Sequence, residues 1–487
     1  MARLAVAGAF FLGGCSAAPE QAPPKAAASA AQKIPITTAS EEARAAYLKG
    51  RDLQEKLRAT DAYKHYTEAA AKDASFALAQ LGLANTAPTN REFFDALERA
   101  VALADKASEA EGLMIRGLDA GVKGNPARQR ELYTKLTQDY PEDERGHNLL
   151  GGFYFGQQDY PAAVVAYSRA TAINPAFSQP YNQLGYAYRF MDRYPEAEQA
   201  FKKYIELIPD DPNPYDSYAE LLMKMGRFEE SVANYEKALA VDPNFVASYV
   251  GIGNDRIFQG RGDDARKTFA QLAGVARNDA EKRQAAFWTA MSYLHEGATE
   301  KALAEVRKMQ AIAEAGQDYG ALAGDHNLVG EILLESGQPQ KALASFAQQG
   351  PTIEKATAPA EVKEATRRNA LFDEARVALA RKDLAGAKAI ADKYATQVAA
   401  LKIPFEVRQQ HELAGRIALE EKDPARAVAE LEQANQQDPR VLYLLAVALK
   451  GQGDAARAKT VGTRAAHFNG LAGNYAFVRT KAEAFTR

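Results

Sequence analysis

Residues 144–177 read ERGHNLLGGFYFGQQDYPAAVVAYSRATAINPAF, residues 178–211 read SQPYNQLGYAYRFMDRYPEAEQAFKKYIELIPDD, and residues 212–245 read PNPYDSYAELLMKMGRFEESVANYEKALAVDPNF. Laid one above another, they repeat their landmarks every 34 residues. Pro141, Pro175, Pro209 and Pro243 recur at that interval, as do Leu150, Leu184 and Tyr218, then Gly151, Gly185 and Ala219, then Tyr154, Tyr188 and Leu222. Ala163, Ala197 and Ser231 follow, with Tyr167, Phe201 and Tyr235 after them. Each unit carries two apolar stretches of helical period separated by a polar turn, and none shows the two-residue alternation of a strand. A fixed period of this length predicts an all-α array of stacked helical hairpins.

The pattern resembles that of the tetratricopeptide-repeat (TPR) family, whose large residues pack between two helices and whose small residues sit where helices touch. A small residue at the eighth and twentieth places permits close approach, where a bulky one would overpack the contact by about 1–3 kcal/mol. The proline at the thirty-second place cannot continue a helix and ends the unit. The same frame places Gly253, Ala265 and Phe269 in 246–279; Gly330, Leu333, Ala342 and Phe346 in 323–350; and Gly415, Ala427 and Leu431 in 408–441. Weaker units fall at 43–76, 75–109, 110–143, 283–316, 361–398 and 439–470, with breaks of register near Gly350-Pro351 and Lys402-Ile403-Pro404. The resemblance implies a TPR helix-turn-helix solenoid, a right-handed superhelix of about a dozen units. Its expected segments are divergent repeats over 43–143, clear repeats over 144–279, divergent repeats over 280–350 and TPR-like repeats over 351–487.

The N-terminus reads differently. Met1-Ala2-Arg3 is followed by an apolar run from Leu4 to Gly14, too short to span a bilayer and shaped like an export signal. It ends at Leu12-Gly13-Gly14-Cys15, which resembles the lipobox of bacterial lipoproteins and holds the only cysteine of the chain. That resemblance implies a signal peptide over 1–14 and a lipidated Cys15, with Ser16 directing the protein to the outer membrane, facing the periplasm. Several acyl chains would make such an anchor durable. An ordinary secretory cut after Ala18 is the competing reading. Residues 15–42 are rich in Ala, Pro and Ser and are expected to form an unstructured tether.

The 487 residues carry 47% hydrophobic and 25% charged side chains and a formal net charge of -3, so no basic excess points to nucleic acid. No phosphate-loop or nucleophile-elbow motif is present. His147, His326 and His411 take the fourth place of separate units, where they cannot converge on a metal. No cofactor, metal or catalytic group is expected, and the chain reads as a binding protein rather than an enzyme. By resemblance, the second, fifth, ninth and twelfth to thirteenth places of the first helix face a partner. They are Arg145, Asn148, Phe155, Asn182, Tyr186, Arg189, Phe190, Asp216, Glu220, Met223, Lys224, Asn254 and Phe258. Amides, rings and charges of both signs suit an extended peptide. The expected function is a lipid-anchored scaffold or adaptor for protein or peptide partners in the bacterial cell envelope; the alternative is a ligand-binding outer-membrane lipoprotein taking an oligosaccharide or peptide.

Overall fold

A computed structural model of the chain describes residues 33–56 and 58–487, and among them every regular element is a helix. The expected signal peptide, Cys15 and the tether up to residue 32 lie outside the described residues. The rest forms two compact units, one of residues 33–87 with 95–208 and one of residues 88–94 with 209–487.

The first unit contains α1 (Glu41–Glu55), α2 (Ala59–Lys72), α3 (Ala77–Thr86), α4 (Asn90–Leu103) from Asp95 onwards, α5 (Glu109–Val122), α6 (Pro126–Asp139), α7 (Glu144–Gly156), α8 (Tyr160–Ile173), α9 (Ser178–Phe190) and α10 (Tyr194–Leu207). The second begins with the hairpins α11 (Pro212–Lys224) with α12 (Phe228–Val241), α13 (Val246–Phe258) with α14 (Gly262–Val275), and α15 (Asp279–His295) with α16 (Thr299–Ala315). It continues through α17 (Tyr319–Glu335), α18 (Pro339–Phe346), α19 (Gln349–Ile353), α20 (Ala360–Ala380) and α21 (Leu384–Leu401). It ends with α22 (Pro404–Glu420), α23 (Pro424–Leu431), α24 (Pro439–Gln452), α25 (Ala455–Ala466), a 3-10 turn at Gly473–Phe477 and α26 (Arg479–Thr486).

In the four units from 144 to 279 the first helix starts at the first place of the frame and the second at the seventeenth. Pro175, Pro209 and Pro243 all lie between helices, as proline's missing N–H and fixed φ require. The turn inside each hairpin passes through the left-handed region at the fifteenth place, at Gln158 (φ 63), Asp192 (φ 57), Gly226 (φ 76) and Gly260 (φ 75). The next residue then caps the second helix where it can: Asp159 accepts the amide hydrogen of Ala162.

Several hairpins share one recurring contact. A Cβ built on the eighth-place glycine would lie 2.5 Å from the ring of Tyr167 at Gly151, 2.6 Å from Phe201 at Gly185, 2.1 Å from Phe269 at Gly253 and 2.3 Å from Phe346 at Gly330. These rings are at most 1% exposed. Burial of one such ring contributes about 1.5–3 kcal/mol, and only a residue without a side chain leaves room for it. The weak units obey the same rule, with Gly50 against Tyr66 and Gly117 against Tyr133.

Three features depart from the sequence expectations. From α15 onwards several first helices gain a turn at the N-terminus, since α15, α17 and α22 start four residues ahead of the frame. Residues 467–487, expected to belong to TPR-like repeats, form no hairpin; the 3-10 turn packs on α15 and α24 instead. The tether expected over 15–42 does not extend that far, because Ile34 is 3% exposed within the core of α5 and α6. Burial of this aliphatic side chain and the main-chain hydrogen bonds of residues 34, 36 and 37 together offset the entropy of fixing the segment.

Gly253→Val should lower the midpoint of urea unfolding by the equivalent of about 1–3 kcal/mol. Gly324→Ala, where a Cβ meets nothing within 4 Å, should leave it unchanged or raise it by up to about 1 kcal/mol. Equal loss at both positions would remove the glycine–ring contact as the organising feature.

Candidate peptide-binding surfaces

The repeat frame brings side chains of the same place onto one line, and in the first unit the second place is already in use. Arg44, Glu111 and Arg145, on α1, α5 and α7, all reach the extended residues 34–38. Asp143 Oδ2 accepts the Ile34 amide hydrogen at 2.7 Å, and Arg145 Nη2 donates to Ile34 O at 2.6 Å. Glu111 Oε1 accepts from the Thr37 amide at 2.7 Å, and Arg44 Nη1 donates to Ile36 O at 2.8 Å. Asp143 is buried, which opposes its ionisation, yet the Arg145 guanidinium bonded to it holds its carboxyl below the usual range. The sequence reading gave Arg145 a partner-facing place but did not foresee this occupant. The Ile34-Pro35-Ile36 triplet was its signal, an apolar island in an Ala/Pro/Ser-rich stretch.

Further along the same unit, α7, α8 and α9 assemble an aromatic patch. The Tyr160 and Phe190 rings stack with centroids 5.0 Å apart and planes 9° from parallel, and Phe155 meets both edge-on. The Arg189 guanidinium lies over Tyr186 at 4.8 Å and over Phe190 at 5.0 Å. Of the residues expected to face a partner, Phe155, Tyr186 and Phe190 are half-buried, so each keeps part of its ring surface open. Asn182 and Arg189 are buried rather than open. Asn148 donates from Nδ2 to Gln179 Oε1 at 2.8 Å. The buried carboxamide oxygens of Asn148 and Asn182 lack a hydrogen-bond donor, a costly state that an incoming N–H would relieve.

In the second unit the chain itself covers the expected surface, which corrects the reading of Asn254 and Phe258 as partner-facing. Tyr475 donates to Asn254 Oδ1 at 2.7 Å, its ring meets Phe258 edge-on at 4.8 Å, and the Arg479 guanidinium lies 4.5 Å from the Phe258 centroid. Lys224 Nζ sits 4.8 Å from the Phe468 ring. Met223 is fully buried, and Asp216 is buried with Ser248 donating to it at 2.7 Å. Burial, and then the neighbouring Glu220 carboxylate, push Asp216 well above the ordinary carboxylate range. Edge-on packing against Tyr475 removes the Phe258 ring from water, so the C-terminal residues cover this face of the repeats.

The long first helices of this unit also carry an ion-pair network that sequence reasoning missed, because its members lie in different repeats. Glu331 Oε2 accepts from Arg376 Nη2 and Arg440 Nη1, each at 2.9 Å, and Arg440 Nη2 and Asn474 Nδ2 both reach Asp438 Oδ2 at 2.9 Å. Burial opposes ionisation of Glu331, but the two guanidiniums hold it at about 2, while burial and the Glu331 charge push Asp373 up to about 7. Lys481 Nζ donates to Glu335 Oε2 at 2.9 Å, tying α26 to α17. The network pins the C-terminal segment and contains no arrangement of nucleophile, base and oxyanion donors. The histidines are far apart in role: His147 meets Pro141 O at 3.0 Å, His411 meets Glu430 at 2.7 Å, and His295 packs beside Tyr475.

Family models described as tetratricopeptide repeat match residues 178–211, 114–177 and 250–318, and one described as TPR repeat matches residues 219–254. No curated protein sequence matches the chain. Among solved structures, a tetratricopeptide repeat protein from Parabacteroides merdae is 16% identical over 54% of this chain and 99% of its own, with a TM-score of 0.37. PilW, a type IV pilus biogenesis factor, is 22% identical over 46% of this chain and 97% of its own, with a TM-score of 0.32. MamA is 22% identical over 33% of this chain and 93% of its own, with a TM-score of 0.29.

One buried group makes this surface pH-sensitive. Asp255, beside Asn254, is fully buried, and burial pushes its pKa up to about 8 against the lowering effect of the Ser231 hydroxyl. The unfolded carboxyl ionises near its ordinary value, whereas the folded one stays protonated up to about 8. Stability therefore falls as pH climbs between those two values, by up to about 1.4 kcal/mol per unit. Asp255→Asn should melt with the parent at pH 4 and several degrees above it at pH 8. A melting difference independent of pH would contradict the buried neutral acid.

Proposed function

We propose that this chain, which is a tetratricopeptide-repeat protein, is a lipid-anchored adaptor that collects protein partners in the bacterial cell envelope by gripping extended segments of them. The fold is a protein-interaction scaffold, since stacked hairpins present long rows of equivalent side chains rather than a closed pocket. The observation that carries the adaptor reading is the grip on residues 34–38: repeat side chains bind both the N–H and C=O groups of an extended strand without a partner strand. Main-chain recognition of that kind supplies affinity, and neighbouring side-chain slots supply selectivity. The half-buried rings of Phe155, Tyr186 and Phe190, packed on Tyr160 and Arg189, add aromatic surface of a kind enriched at interfaces.

The anchor rests on Leu12-Gly13-Gly14-Cys15, and among the described residues no helix is long and apolar enough to cross a membrane. Confinement to the outer membrane, facing the periplasm, would raise the effective concentration of partners located there. No enzymatic role is proposed, because the ionisable clusters of the second unit are consumed in holding its own segments together.

The test is expression with the native signal in a Gram-negative host, crosslinking in the envelope, and mass analysis of the N-terminal peptide. A triacylated Cys15 and a defined partner set are expected. Cys15→Ser should move the chain to the soluble fraction. Phe155→Ala, at a half-buried ring, should cut partner capture at least fivefold without altering the circular dichroism spectrum, and unchanged capture would argue that the aromatic patch is solvated surface of a structural rod.

A further inference from the structure

Residues 33–39 belong to no repeat, yet they are held as a ligand would be. Only Ile34 is buried; Lys33, Thr37 and Ala39 are exposed, and the others are half-buried. The groups that grip them are arranged independently of them. Glu111 is positioned by the capping box of α5, with Oε2 accepting from the Ser108 amide at 2.8 Å and hydroxyl at 2.7 Å, which leaves Oε1 for Thr37. Asp143 caps α7 through Oδ1 and the Arg145 amide at 2.9 Å, which leaves Oδ2 for Ile34. Both carboxylates are fully buried. A preformed site loses little entropy on binding, so its affinity is not tied to one covalent arrangement of the occupant.

The occupant also defines what the site selects. Lys33 pairs with Glu144 and donates to Glu142 O at 2.8 Å, so a cation is favoured at the first position. The Ile34 side chain fills an apolar slot lined by Ala110, Leu113, Leu132 and Leu136, which favours a branched aliphatic residue at the second. Pro35 falls where no main-chain donor is used, between the bonded Ile34 and Ile36, and it holds the backbone extended. Ile36 and Thr37 are read through their main chain alone.

We propose that this second-place groove of α1, α5 and α7 is a binding site for partner segments of the pattern basic–aliphatic–proline, and that residues 33–39 are a built-in occupant that such segments displace. The proposal rests on the adaptor reading and names its partner class. Because residues 33–39 run directly into α1, their effective concentration at the groove is high, and a partner must bring additional contacts to replace them. The chain thus screens out short, weakly attached peptides and admits a partner that also engages other parts of its surface.

The test uses the full chain carrying Ile34→Asp, which evicts the occupant by placing a charge in the apolar slot, and a fluorescent peptide of residues 33–40, KIPITTAS. The variant should bind the peptide at least tenfold more tightly than the parent chain does. Aspartate at the peptide's second position, or Arg145→Ala added to the variant, should each weaken binding at least tenfold. No binding to a variant that melts like the parent, or binding indifferent to the peptide's second residue, overturns the proposal. Should Ile34→Asp not fold, a protease site placed between Ala39 and Ser40 and cut after folding lets release and rebinding of the same segment be measured. Retention without exchange against added peptide again overturns it. Peptide binding with no crosslinked envelope partner would sink the adaptor reading and leave the site standing; partner capture without peptide binding would do the reverse.

Discussion

The structure depends on the absence of a side chain. At the eighth place of most hairpins a glycine lets the first helix lie directly on an aromatic ring from the twenty-fourth place of the second, with no space between them for even a methyl group. Tyr66, Tyr167, Phe201, Phe269 and Phe346 are buried through this contact. Because it recurs in every such hairpin, it fixes the rotation of the two helices and hence which faces remain for the next repeat. The alignment of second-place and ninth-place residues along the stack is a consequence of that fixed rotation. In 212–245 alanine stands at this place, and Ala219 is buried in one cluster with Tyr235.

A stacked array leaves long apolar and polar rows exposed unless something covers them, and this chain covers two with itself. Residues 33–39 lie along the second-place side chains of the first unit, and residues 467–487 lie against α13, α15 and α17 of the second. The two coverings differ in kind. The C-terminal one buries Tyr475, Ala476 and Phe477 and is locked by ion pairs to Glu335 and by Asn474 to Asp438, so it completes a hydrophobic core. The N-terminal one buries a single isoleucine and is held chiefly by its backbone, which is the mode in which a repeat surface binds something exchangeable.

The polar interior of the second unit follows from its longer helices. The extra turn ahead of α22 carries Glu406, which faces Arg368 of the long α20, while Glu331 of α17 faces Arg376 of the same α20. Their mutual pairing replaces the hydration they lose, and removal of one partner would strand the other in a low-dielectric interior. This division explains why the regular repeats from 144 to 279 can be read residue by residue, while the units after 280 only show their glycine and ring.

The amino-acid sequence by itself determined the helical hairpins, their 34-residue period and their small-on-large contact, because these arise within one repeat, between residues less than a period apart. Phe155, Tyr186 and Phe190, given partner-facing places by the frame, lie half-buried in the structure. Only the tertiary structure decided that Asn254 and Phe258 are closed off by Tyr475 and Arg479, that Ile34 is an occupant rather than part of a tether, and that Glu331 meets both Arg376 and Arg440. Those contacts join residues separated by 221, 109, 45 and 109 positions in the chain. No local periodicity encodes such meetings, because they depend on how many repeats intervene and how each turns on the last.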